Sequence, residues 1–463
     1  VTWWRGAPGP LRLDFEEVHR HRPRSVLSPF VAHDETDPRA PADGEVRRLG
    51  TGPVAPFCAV LLDLGSDGVG PGLAAGLSGS TGSVLGRWDP ARGEVRIEVT
   101  GPAGVTVAGT ARAPGERPSQ LAVVVQADRV TVLAATAGGE LRPLLTARAP
   151  VAAALDLREP AVLAGLRYAW GGRVRRVRAG VCGPAGVRDP QVVRRPDGSP
   201  LVEDGRLHLT MTSAGLGFFQ QAHWSVWALD LADPSRLEQV GAVFSARDGL
   251  LLGDHAGQLL VDRSTGRTTV LVSSWGDHDP ARGVHVRHTT TTADLLRGVH
   301  VLPTERLDLP TTASAWDPSL ARVGRRWYLA FTECVAFSPR YTFHPALAVT
   351  TGPDWTRGLR LVAADTVLEQ TEGSLLQPVE GRWYVFASDG DARRHPVYDL
   401  RLRRLGHLSA PYGTNIPHPV VVRAGTGRRA PWWLLTFDGT AWHEDVLGYG
   451  THGDFVVMAA RSR

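Results

Sequence analysis

A chain of 463 residues, 43% hydrophobic and 21% charged, has the balance of a globular protein and the length for roughly two to four hydrophobic cores. Basic residues exceed acidic ones by only 51 to 47, which argues against a nucleic-acid-binding chain, and no apolar run approaches the ~20 residues of a membrane-spanning helix. The 52 glycines and 34 prolines favour many short strands joined by turns.

Every basic side chain of the Lys/Arg class is arginine, and Asn415 is the single asparagine, a bias expected of a very GC-rich genome of the actinobacterial kind. Cys58, Cys182 and Cys334 lack metal-ligand spacing and are expected as three buried thiols. The chain starts at Val1 with no apolar signal-like segment, as expected of a processed form or a trimmed piece, and its compartment stays open.

From residue 1 to about 175 the apolar residues alternate in β fashion with almost no helical periodicity. Stretches 58–64, 83–88, 94–100, 121–126 and 130–135 read as strands, while Ala127-Asp128-Arg129 and Gly101-Pro102-Ala103-Gly104 have hairpin-turn composition. Residues 1–180 are therefore expected to form an antiparallel β-sandwich. The run 59–64, followed by Gly86-Arg87-Trp88 and by Val95-Arg96-Ile97-Glu98-Val99, resembles the concanavalin/laminin-G type of sandwich. That resemblance implies sugar binding or a buttressing role.

The pattern breaks at Val181-Cys182-Gly183-Pro184-Ala185-Gly186, where a domain boundary is expected, and residues 181–463 then repeat. Asp189-Pro190-Gln191 with the run 207–213, Asp317-Pro318-Ser319 with 326–332, Glu372-Gly373-Ser374 with 382–388 and His418-Pro419-Val420 with 432–437 are four strand pairs. A weaker copy joins 255–260 to 269–275. Five copies predict a five-bladed β-propeller. The whole is thus expected to be all-β, a sandwich followed by a propeller. The first strand of each blade runs beside the central channel, so Asp189, Asp254 or His255, Asp317, Glu372 and His418 are expected to converge there.

An acid-rich ring of this kind suits glycosidic-bond hydrolysis. Inversion needs one carboxylate to deprotonate water and a protonated carboxyl about 6.5–9.5 Å away to protonate the leaving oxygen. A third carboxylate raises the acid's pKa through like charge.

Blades opening on Asp189-Pro190, Asp317-Pro318 and Glu372-Gly373, with the late His418, resemble glycoside hydrolase family 43 and its furanosidase relatives over about residues 185–463. The resemblance implies Asp189 as general base, Asp317 as the residue that orients and tunes the acid, and Glu372 as the acid. It also implies His418 near the pocket floor, beside a possible structural metal ion, with no other cofactor. The family usually has proline where this chain has Ser374, and its accessory sandwich usually follows the propeller. The substrate class it implies is an arabinofuranosyl-type oligo- or polysaccharide, cleaved with inversion.

Alternatives are a non-catalytic carbohydrate-binding propeller, a lyase or transferase acting on a glycosylated small molecule, and a retaining fructan-type furanosidase. The fructan-type reading draws on Glu333-Cys334 and on Arg188-Asp189-Pro190, but Glu333 falls too close behind Asp317 to head its own blade. His255, Trp275, Trp316 and His418 are candidates for substrate binding, Trp224 and Trp383 are further stacking platforms to consider, and Trp327, Trp383 and Trp433 fit blade cores. No metal site is assigned to the Asp277-His278-Asp279 stretch with His285 and His288.

Overall fold

The structure is a computed structural model that describes residues 11–65, 72–113, 118–425, 430–440 and 452–461. Two six-stranded antiparallel sheets form the sandwich. One runs in the order Arg142–Ala147, Arg129–Ala135, Gln120–Gln126, Phe57–Asp63, Arg176–Cys182, Leu27–Thr36. The other runs Arg47–Arg48, Leu166–Gly171, Ala74–Gly79, Ser83–Asp89, Glu94–Gly101, Gly104–Arg112. Alternation in Val95-Arg96-Ile97-Glu98-Val99 turns the three apolar residues inward against Val60, Leu62 and Val123. The predicted turn at 127–129 is tighter than expected, because Ala127 takes a left-handed φ of 56° and leaves only Ala127 and Asp128 between the strands. Sequence periodicity missed two short helices, Ala149–Ala154 and Pro160–Ala164, each too brief to repeat a face and each with proline in its first turn.

Five further sheets form the propeller. The innermost strands of the first four blades are Gly186–Val192, His255–Asp262, Ser314–Val323 and Thr371–Val379, and that of the fifth is Val420–Arg423. In the first blade Gly298–Pro303 adds in parallel to Leu237–Arg247. Each neighbouring pair of blades shares an apolar core, from Trp224 and Leu259 between the first two to Leu209 and Val457 between the first and fifth, which closes the ring.

The fifth blade corrects the expected extent of the sandwich. Its outermost strand is Phe15–His21, antiparallel to His452–Ala460 from Phe15 opposite Ala460 to His21 opposite Phe455. Phe15 is 2% exposed and packs with Tyr384, Leu408 and Met458. Residues 15–21 therefore belong to the propeller, and the sandwich begins at about Leu27. The sequence Phe-Glu-Glu-Val-His-Arg-His gives little apolar alternation, since an outer strand buries little.

The expected boundary at 181–186 coincides with the short passage from Arg176–Cys182 to Gly186–Val192. The strand Phe57–Asp63 serves two cores: Cys58, Val60 and Leu62 face the sandwich interior, whereas Phe57, Ala59 and Leu61 face Leu216, Ala242 and Phe244 of the first blade. Burial on both faces explains its unbroken apolar run. His223 lies in the same contact, 5.4 Å from the Phe57 ring and 5.0 Å from that of Phe244. Neither of its ring nitrogens has a hydrogen-bond partner, and burial pushes its pKa down to about 3, so it is a neutral ring in an apolar seam.

A 181–463 fragment would lose both the outer strand of the fifth blade and the cover over Ala242 and Phe244. It is expected to be insoluble or to melt without cooperativity, while Phe15→Ala in the full chain costs roughly 3–5 kcal/mol. Solubility and denaturant unfolding check this, and a soluble, cooperatively folded 181–463 fragment would show both contacts to be dispensable.

Candidate active site

The inner strands of the first four blades break register at one common place. The breaks fall between Arg188 and Gln191, His255 and Gln258, Trp316 and Ser319, and Glu372 and Leu375. The residue after each break point has a left-handed φ: Asp189 at 52°, Ala256 at 48°, Asp317 at 52° and Gly373 at 69°. This is β-bulge geometry, and it bends each strand head and re-aims its side chains. Aspartate tolerates the left-handed region through its short polar side chain. In the first and third blades the following proline sits in the unpaired position, where no ladder N–H is required. At Gly373 a Cβ would stand 2.5 Å from the His418 ring, so the fourth blade needs glycine there.

The breaks are tied from blade to blade by hydrogen bonds. Ala256 N–H donates to Thr212 Oγ1 at 3.0 Å and Asp317 N–H to Ser273 Oγ at 2.9 Å, so a hydroxyl of one blade holds the bulge of the next. At the third joint a carboxylate takes over: Gly373 N–H donates to Asp317 Oδ2 at 3.0 Å, with the Thr332 hydroxyl on the same oxygen at 3.4 Å. Asp317 thereby fixes the backbone next to Glu372.

Register also separates the acids. The sequence pattern treats Asp189, Asp317 and Glu372 as equivalent strand heads, but Glu372 stands one position earlier, level with Arg188, His255 and Trp316. Asp189 and Asp317 flank His418, whose Nε2 is 3.7 Å from Asp189 Oδ1 and 3.6 Å from Asp317 Oδ2. Those separations exceed hydrogen-bond range. Burial pushes His418 down to about 4 against the pull of Asp189, so its imidazole is neutral at ordinary pH. Glu372 accepts the indole N–H of Trp316 at 3.1 Å. Burial and the charge of Asp189 raise its pKa to about 7, against the opposing charge of Arg188 and the Trp316 hydrogen bond. Asp317 is raised well above the carboxylate range by burial, Glu372 and Asp189. Together these acids can hold a proton near neutral pH, as an acid catalyst requires.

Trp275 and Trp316 are 7% and 2% exposed and pack with ring centroids 5.1 Å apart, alongside Phe219 and Phe343. They form an aromatic wall rather than open platforms, and the polar edge of Trp316 works on Glu372. His255 is buried, with Nε2 2.8 Å from the Phe219 carbonyl, and burial lowers its pKa to about 4. Its neighbour Asp254 does not share the channel position: it forms a two-pronged ion pair with Arg247, at 2.9 and 2.8 Å. Trp224, Trp383 and Trp433 lie in blade cores, which removes Trp224 and Trp383 as platforms, and Trp327 packs at the edge of another core. Glu333 is engaged on its own blade by His344 at 3.0 Å and by the Thr311 hydroxyl. In the 277–279 stretch, Asp277 pairs with Arg247, and His278 sits among Phe219, Trp275 and Phe337.

Two features of the site escaped the sequence reading. Arg188, 8% exposed, has no role in the sequence pattern beyond preceding Asp189-Pro190, although the blade repeat places it level with Glu372. The turn before His418 holds Asn415 and Ile416 in left-handed conformations at φ 60° and 54°, and the single asparagine of the chain was its only signal.

An ion beside His418 was expected as a possibility. Among the described residues no group of three or more His, Cys, Asp or Glu is arranged to hold a metal ion.

No protein-family model matches the chain, and no curated protein matches it. Among solved structures the chain is similar to a glycoside hydrolase family 43 enzyme from Xanthomonas citri, with 16% identity over 60% of this chain and 88% of the other and a TM-score of 0.41. It is also similar to the catalytic domain of a family 62 α-L-arabinofuranosidase from Coprinopsis cinerea, with 11% identity over 59% and 90% and a TM-score of 0.38. A levansucrase variant from B. subtilis matches with 9% identity over 60% and 86% and a TM-score of 0.43. The matched structures are five-bladed β-propeller glycoside hydrolases.

The Glu372 carboxyl is expected to titrate with a midpoint at about 7, followed by isotope-edited infrared spectroscopy. Asp189→Asn removes a negative charge that disfavours ionisation, so the midpoint should fall. A midpoint in the ordinary carboxylate range in the parent protein would remove the acid assignment.

Proposed function

We propose that this protein is a glycoside hydrolase acting on furanosyl linkages, arabinofuranosyl ones in the first instance, by single-displacement inversion. The observation that supports it most is Glu372, a carboxyl held between Trp316 and the acids of other blades with its pKa raised to about 7. A carboxyl so placed donates a proton at neutral pH, whereas an ordinary glutamate has already lost it.

In this reading Asp189 takes a proton from water as the water oxygen bonds to the anomeric carbon. The bond from that carbon to the leaving oxygen breaks, and that oxygen takes the proton of Glu372. Asp317 acts on Glu372 by holding the Gly373 N–H, which fixes the backbone beside the acid. Neutral His418 spaces the two aspartates. The partner is a carbohydrate.

Aryl furanosides and arabinan fragments are the test substrates. Asp189→Asn should lower turnover by ~10²–10⁴ with folding intact, and Glu372→Gln should harm arabinan fragments far more than aryl furanosides, whose leaving group needs little protonation. Full activity in Asp189→Asn would end the assignment, and equal losses on both substrates for Glu372→Gln would make Glu372 structural.

The product is expected to form with anomeric configuration opposite to that of the bond cleaved, observed by NMR before mutarotation. A retained configuration, or a trapped glycosyl adduct on Asp189, would replace inversion by double displacement.

A further inference from the structure

Arg188 heads the first blade in the position that Glu372 takes in the fourth, and it is buried. Its guanidinium carbon lies 4.8 Å from the centre of the Phe437 ring, and its Nη2 donates to the Asn415 carbonyl at 3.3 Å. The same phenyl ring meets His418 edge-on at 5.7 Å. One aromatic side chain of the fifth blade thus seats both the cation and the histidine.

The carbonyl that Arg188 binds belongs to a strained turn. For a β-branched residue such as Ile416, a φ of 54° is a steric outlier that persists only where the surroundings enforce it. The enforcement comes from several blades. Thr414 N–H and Oγ1 donate to Asp438 Oδ1 at 2.8 and 3.1 Å, the Ser388 hydroxyl donates to the Pro417 carbonyl, and Ile416 packs against the cluster that contains Trp275, Trp316 and Phe343. Arg188 is the tether from the first blade.

We propose that Arg188 is a positioning residue of the site: it holds the left-handed turn that delivers His418, and it supplies the fixed positive charge against which the carboxyls are balanced. Its charge reaches Glu372 of the fourth blade, His255 of the second and His418 of the fifth, and Glu372 is faced in turn by Asp189 of the first blade, Asp317 and Cys334 of the third, and Tyr412. Its charge favours the ionised form of Glu372 and the neutral forms of His255 and His418. The role rests on the hydrolase reading only for its kinetic consequence.

Two substitutions separate the charge from the tether. Arg188→Gln removes the charge and, two bonds shorter, the contact to the Asn415 carbonyl, whereas Arg188→Lys removes the planar fork and keeps the charge. Infrared titration of Glu372 should show the midpoint rising by about one pH unit in Arg188→Gln and staying near the parent value in Arg188→Lys. The basic limb of kcat/KM on an aryl furanoside should move up in parallel for Arg188→Gln, because the acid stays protonated to higher pH. A Glu372 midpoint unchanged in Arg188→Gln, or displaced equally in both variants, would overturn the inference. If the parent protein cleaves no furanoside, the hydrolase reading fails, and the titration still decides the role of Arg188.

Discussion

A left-handed residue at the head of an inner strand is the constraint on which the site depends. A regular strand would send alternate side chains into the blades on either side, and the acids would be shared between blade cores and channel. Breaking the ladder at one level in four blades turns the strand heads towards the axis together, and the blade-to-blade hydrogen bonds on Thr212, Ser273 and Asp317 hold them at that level. Asp317 is both a link in this chain and a member of the acid cluster. Its position is therefore set by the architecture and not by side-chain packing alone.

The electrostatics follow from the same placement. Bringing carboxyls from three blades to one buried place is unfavourable for three charges, and the cost is reduced by retaining protons. His255 and His418 do not supply compensating charge, because burial keeps them neutral. Trp316, which donates its indole N–H to Glu372, belongs to the apolar cluster of Trp275 and Phe343, and a low-dielectric neighbour of this kind strengthens the remaining charge interactions.

Much of this was legible because it repeats. The Asp-Pro dipeptides report a left-handed residue followed by a position that needs no N–H, so the sequence marks the bulge directly. Hairpins in the sandwich were readable from short-range alternation, as at 94–100. What escaped were relations with no local signature. Phe15–His21 pairs with residues more than four hundred positions away and is too exposed to show a pattern. The difference in level between Glu372 and the two aspartates is a matter of register, which a motif such as Glu-Gly cannot convey. The tryptophans were visible as residues, but their surroundings were not. Trp224 fills a blade core, whereas Trp316 turns its indole N–H to an acid.

The outer strand of the fifth blade also changes what the sandwich is in topological terms. Because Phe15–His21 lies in the propeller and Gly186–Val192 opens it, the twelve-stranded module between them is an insertion within the ring rather than a domain strung on one end. A module anchored at both ends has no free swivel, so its orientation over the first blade is fixed by two covalent junctions as well as by the Phe57–Phe244 seam. During synthesis the ring-closing strand emerges before the sandwich, and its partner His452–Ala460 emerges after all five inner strands. The strand must wait unpaired until the last blade is made, and its charged, sparsely apolar sequence suits a segment that has to avoid other sheet edges in the interval.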